Sequence, residues 1–140
     1  MKKKKHRIIG VDFDGTLATI DKPYPAIGRP IQEVINYILE EQSHGAYLVL
    51  ITMREGIALE GALMWCEDQG IKFDAVNDNL PHMKEWFGNN PRKIFVNEYI
   101  DDNNFGGIDY VIQEIKRMKG DRIWNIVLVQ FVGVGILKDM

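Results

Sequence analysis

Cysteine is almost missing from this chain. Cys66 stands alone, so no internal disulfide can form, and its place in an apolar helical pattern predicts a buried thiol in a reducing compartment. A large charge of one sign is missing too: 17 basic against 20 acidic residues give a formal charge of −3 and no general attraction for polyanions. Lys2 to Lys5 with Arg7 form a local basic stretch, which reads as a solvated tail over residues 1–6 with no nucleic-acid role. No apolar run is long enough for a membrane span. The charge-free stretch 123–137 falls short of the roughly 20 apolar residues that a spanning helix needs. It is expected to be an apolar C-terminal extension (123–140) packed on the domain or on a second subunit. A secretory leader is not expected, because Asp12 and Asp14 interrupt the first apolar segment, and the expected location is cytoplasmic. His6, His44 and His82 share no metal-ligand spacing.

What is present is an ordinary globular composition, 46% hydrophobic and 26% charged over 140 residues, enough for one domain with a real core. Apolar, β-branched segments at 7–13, 47–51, 71–76 and 93–100 predict four strands. Between them lie helical patterns. Pro30 suits the first position of a helix burying Val34, Ile35 and Ile38 and ending near Gly45. Leu59, Leu63 and Cys66 mark a second helix closed by Gly70, a brief one covers Lys84 to Phe87, and Ile108, Val111, Ile112, Ile115 and Met118 mark the last. This alternation predicts a single doubly wound α/β domain, Rossmann-like, with a mostly parallel sheet. Ligands bind such sheets beyond the carboxyl ends of the strands.

The most informative residues sit at those ends. Asp12-Phe13-Asp14-Gly15-Thr16 follows the first strand and places two carboxylates on one strand face, a cost to folding unless a cation or a reacting group lies between them. Thr52 follows the second strand and Asp101-Asp102 the fourth. Clustered carboxylates suit Mg²⁺, which takes oxygen ligands and commonly shares them with substrate phosphate. With that charge screened, Asp12 can attack phosphorus to give an acyl-phosphate. Asp14 can protonate the leaving oxygen and then take a proton from the hydrolytic water. Thr52, Lys93 and the backbone N–H groups of Gly15 and Thr16 are the expected phosphate contacts. Arg54 and Glu55 read either as leaving-group contacts or as an exposed first helical turn, and His82 lies in a loop that can approach substrate.

The order Asp12-Phe13-Asp14-Gly15-Thr16-Leu17, then Leu50-Ile51-Thr52, then a lysine, then Ile100-Asp101-Asp102 resembles the haloacid dehalogenase superfamily of aspartate-nucleophile phosphohydrolases, over residues 7 to about 107. The resemblance implies that Asp12 is nucleophile and metal ligand, that Asp14 is the acid/base with its backbone carbonyl on Mg²⁺, that Asp101 is a further ligand, and that Asp102 supports a metal-bound water. The stretch from Arg92 to Asp102 is similar to that of small hydrolase-like members and puts the lysine at Lys93, with Lys84 as the competitor. Segments 18–29 and 77–92 are too short for a full cap domain. The expected activity is removal of phosphate from a small phosphorylated substrate, and the alternative is a phosphate- and metal-binding module without turnover. A two-component receiver domain is disfavoured, since it would carry its adjacent acidic pair after the first strand and not after the last.

Overall fold

The computed structural model describes residues 7–133, with side chains described to residue 120. In chain order the elements are β1 (Ile8–Val11), α1 (Gln32–Ser43), β2 (Tyr47–Leu50), α2 (Gly56–Asp68), β3 (Ala75–Val76), α3 (Pro81–Phe87), β4 (Glu98–Ile100) and α4 (Gly107–Gly133). The strands form one all-parallel sheet in the order β3-β2-β1-β4. This is the expected α/β, Rossmann-like architecture. From β1 the chain winds outward to β2 and β3 on one side and returns to β4 on the other. The strand order therefore reverses between β1 and β4, where a cleft opens in such sheets.

Alternation along the strands assigns the two faces. Ile9, Val11, Leu48 and Leu50 point toward α1, α2 and α4 and join Val34, Ile35, Ile38, Ala62, Cys66 and Ile115 in the larger core. Ile8 and Val49 point the other way, under Leu80 of the α3 entry and Val96. Cys66 is buried as expected, and burial pushes its thiol up to about 12. Gly10 is a glycine among β-branched residues because there is no room for more: a Cβ there would lie 2.6 Å from Ile51 Cδ1 and 3.0 Å from Val96 Cγ1.

The third and fourth strands are shorter than the apolar runs at 71–76 and 93–100 suggest, and for the same reason. Asp74 accepts a hydrogen bond from Leu48 N through Oδ2 and donates its own N–H to Leu48 O, both at 2.8 Å. Asn97 does likewise with Ile8, at 2.8 and 2.7 Å. A side-chain oxygen replaces a backbone carbonyl at the head of each strand, and the residues before it leave the sheet. Pro30 lies outside α1, whose N-cap is Ile31.

At the amino end of the sheet Arg7 binds Glu98 at 2.8 Å and also pairs with Glu41, while the Tyr37 hydroxyl donates to Glu98 at 2.8 Å. Arg7 thus belongs to the folded domain, while Lys2 to Lys5 lie outside the described residues. Helix α4 runs unbroken into the charge-free stretch as far as Gly133, and the remainder of the 123–140 extension lies outside the described residues. No helix among the described residues is long and apolar enough to cross a membrane.

Candidate functional site

The β1 and β4 carboxyl ends are stitched together by Asp12 N donating to Ile100 O at 2.9 Å. That bond brings carboxylates from opposite ends of the chain into one cluster: oxygen atoms of Asp12, Asp101 and Asp102 all lie within 4.8 Å of one another. Thr16, fully buried, ties the cluster together. Its hydroxyl oxygen accepts from Asp102 N at 2.9 Å and lies 3.3 Å from Asp12 Oδ2 and 3.4 Å from Asp102 Oδ1. One hydroxyl proton cannot serve both acids fully. Gly15 makes the approach possible. Its φ of +83° is left-handed, and a Cβ there would fall 2.2 Å from Asp102 Oδ2.

The acidity of the cluster records its crowding. Burial, then the charge of Asp101 and the contact with Asp102, push the Asp12 carboxyl up to about 7, against the opposing pull of the Phe13 N–H. Asp101 is also raised, by burial first and by Asp102, while the Asn103 N–H at 2.8 Å pulls it back. Three half-buried carboxylates this close together could hold a metal ion.

Asp14 stands apart from this cluster. Its two oxygens accept from Arg54 Nε and Nη2, both at 2.8 Å, in a fork-to-fork pair. Arg54 is only 1% exposed. Its remaining nitrogen, Nη1, donates to Pro25 O at 3.0 Å and Ala58 O at 3.2 Å, and the guanidinium sits between the rings of Phe13 and Tyr24, at 4.9 and 5.0 Å. One side chain thus joins the end of β1, the loop after it and the first turn of α2. Contact with Asp14 raises the Arg54 pKa further above its ordinary value.

Thr52 is fixed by Asn77, which takes the left-handed conformation (φ 51°) after β3, accepts from Thr52 N at 2.8 Å and donates to Thr52 O at 2.9 Å. The Thr52 hydroxyl accepts from Arg54 N at 3.0 Å, so its own proton stays available. Thr52 does not cap α2, whose N-cap is Glu55. Lys84 is paired with Asp78 at 2.7 Å, whereas Lys93 is exposed and forms no hydrogen bond or ion pair among the described residues. The expected backbone donors differ in position. Gly15 N and Thr16 N are engaged by Ala18 O and Phe13 O at 2.7 and 3.2 Å, the Phe13 N–H is turned to the Asp12 carboxyl, and Asp14 N reaches no backbone carbonyl among the described residues. His82 stacks 4.9 Å from Tyr47 at the amino end of β2, away from the cluster.

Asn77, the Thr16 hydroxyl and the pairing of Arg54 with Asp14 are the parts that sequence reasoning missed, since in the sequence Arg54 reads only as a leaving-group contact or an exposed first-turn residue. A signal for Arg54 did exist: Asp14 is a strand-end carboxylate needing a counter-charge, and Arg54 lies two residues past Thr52. Because Arg54 is buried while the Asp14 side chain is 33% exposed and can rehydrate, Arg54→Met should lower stability by about 3 kcal/mol, the low end for breaking a buried pair. Urea denaturation measures this, and a loss below about 1 kcal/mol would contradict the clamp.

No protein-family model matches the chain, and neither does any curated protein. Among solved structures, a conserved protein from Bacteroides thetaiotaomicron matches with 33% sequence identity and a TM-score of 0.65, over 81% of this chain and 92% of that one. With a third of its residues identical along nearly all of that protein's length, this chain belongs to the same family as the conserved Bacteroides protein.

Proposed function

We propose that the chain is a Mg²⁺-dependent phosphohydrolase of the haloacid dehalogenase superfamily, removing phosphate from a small phosphomonoester through a phospho-Asp12 intermediate. The observation that carries this reading is the meeting of Asp12, Asp101 and Asp102 within 4.8 Å at the β1/β4 reversal. Asp12, Asp101 and Asp102 would hold Mg²⁺, with the Asp14 carbonyl as a further ligand, and the ion would screen the charge between carboxylate and phosphoryl oxygens.

The chain's own groups supply the rest. A carboxylate oxygen of Asp12 attacks phosphorus as the bond to the ester oxygen breaks, and Asp14 passes a proton to the departing alcohol. To do so it must release one of its two bonds to Arg54 and bind a proton from solvent on the freed oxygen, the proton it regains from water in the second half-reaction. Water then loses a proton to Asp14 and attacks phospho-Asp12, breaking the phosphorus bond to Asp12 and freeing inorganic phosphate. Asp14 N and the Thr52 hydroxyl are donors for phosphoryl oxygens, and Lys93, free of an acidic partner among the described residues where Lys84 is not, is the assigned cation. A binding module without turnover is the second reading, favoured by the double engagement of Asp14.

Asp12→Asn should leave the chain folded, with melting near that of the native chain at about pH 4 where Asp12 is itself neutral, and reduce Mg²⁺-dependent hydrolysis of an aryl phosphate by about a thousandfold or more. Retained turnover would remove Asp12 as nucleophile. A second expectation concerns pH. Asp12 holds its proton more tightly folded (about 7) than at the ordinary value of 3.8, so its contribution to stability is full below about pH 4 and lost as pH rises to about 7. In chelator, thermal melts should therefore fall from pH 5 to pH 8, Mg²⁺ should restore more at pH 8 than at pH 5, and Asp12→Asn should flatten the profile. A flat profile for the native chain in chelator would contradict the crowded-carboxylate account.

A further inference from the structure

Resting on the phosphohydrolase reading, we propose that the substrate is a monoester of an uncharged, apolar alcohol, received by a collar of exposed hydrophobic side chains beside Asp14. The two loops that Arg54 joins present large apolar groups to solvent: Ile20 and Tyr24 after β1, and Met53 and Ile57 at the passage from β2 into α2. Met53 is 96% and Ile57 87% exposed, so neither contributes to the core. Their sequence neighbours are the site itself. Met53 lies between Thr52 and Arg54, and the Tyr24 ring rests 5.0 Å from the guanidinium that clamps Asp14. Apolar side chains scattered singly over a surface need no explanation, but their recurrence on the two loops that Arg54 joins beside Asp14 marks a recognition surface.

Charge on the same loops says what the surface receives. A second phosphate or a carboxylate on the substrate would be met by an arginine fork or by clustered cations. Both arginines of these loops are already engaged: Arg29 donates through Nε and Nη2 to Asp21 Oδ2 at 3.1 and 3.0 Å, and Arg54 is locked on Asp14. Lys22 is the remaining cation of these two loops, a single charge on an exposed stem. The reacting phosphoryl group thus accounts for the anionic part of the substrate, and the collar faces its alcohol.

The test compares 2-phenylethyl phosphate with glycerol 3-phosphate, both alkyl esters, so that leaving-group acidity does not decide the outcome. With the full chain and Mg²⁺, kcat/KM should favour the phenyl-bearing ester by about tenfold or more, the scale of burying part of one aromatic ring. In the double variant Met53→Gln, Ile57→Gln, which alters only exposed positions, the ratio should fall to within about twofold of unity, through KM for the phenyl ester. Turnover with a ratio near or below one in the native chain would overturn the collar and leave the hydrolase reading standing. A native chain that is dimeric, with a double variant that is monomeric and keeps the ratio, would make these side chains a subunit contact and also overturn it. Absence of turnover on both esters, with no phosphorylated Asp12, would overturn the hydrolase reading and this inference together.

Discussion

Mutual repulsion among Asp12, Asp101 and Asp102 is the constraint around which the carboxyl end of this sheet is arranged. Like charges a few ångströms apart and half-buried are costly, and nothing in the core is gained by placing them there. Yet the fold supports their approach at each step. The Asp12 N to Ile100 O bond closes the two strand ends, Gly15 removes the Cβ that would strike Asp102, and the buried Thr16 hydroxyl takes the Asp102 N–H. Such convergent support for an unfavourable contact is intelligible if a cation completes it. The raised pKa of Asp12, owed first to burial and then to Asp101 and Asp102, expresses the same stress in another form.

Arg54 plays the complementary part. By engaging Asp14 it separates the fourth carboxylate from the cluster, so two acids two residues apart have different partners and different tasks. Its bonds to Pro25 O and Ala58 O make that separation depend on the loop after β1 and on the start of α2. Catalysis by Asp14 under the proposed mechanism then requires local release of a well-made ion pair. The loop that would have to yield also carries Tyr24, one of the groups assigned to the substrate alcohol, so binding of the alcohol and release of Asp14 share a structural element.

Much of this was legible in the sequence because it depends on short-range patterns. Continuous apolar runs predicted β1 and β2 to within a residue or two, Gly70 marked the end of α2, and the strand-end placement of Asp12, Thr52 and Asp101 followed from the alternation of elements. Other features depend on tertiary pairing and left no local trace. Residues 71–73 and 93–96 have strand-like composition, but Asp74 and Asn97 take the ladder positions against Leu48 and Ile8. The N–H groups of Gly15 and Thr16 looked available until the turn used them for Ala18 O and Phe13 O. Arg54 read equally well as an exposed first-turn residue, because only the folded chain puts Phe13, Tyr24 and Asp14 around it.

The central claim is that these carboxylates form one phosphoryl-transfer centre with Asp12 as the attacking group. Acid quenching of the native chain during turnover of a phosphate monoester with Mg²⁺, followed by mass spectrometry of its peptides, addresses it most directly. The account predicts a phosphate-mass increment on Asp12 that is lost when Mg²⁺ is withheld. Turnover with no increment at Asp12, or an increment on another residue, would contradict it.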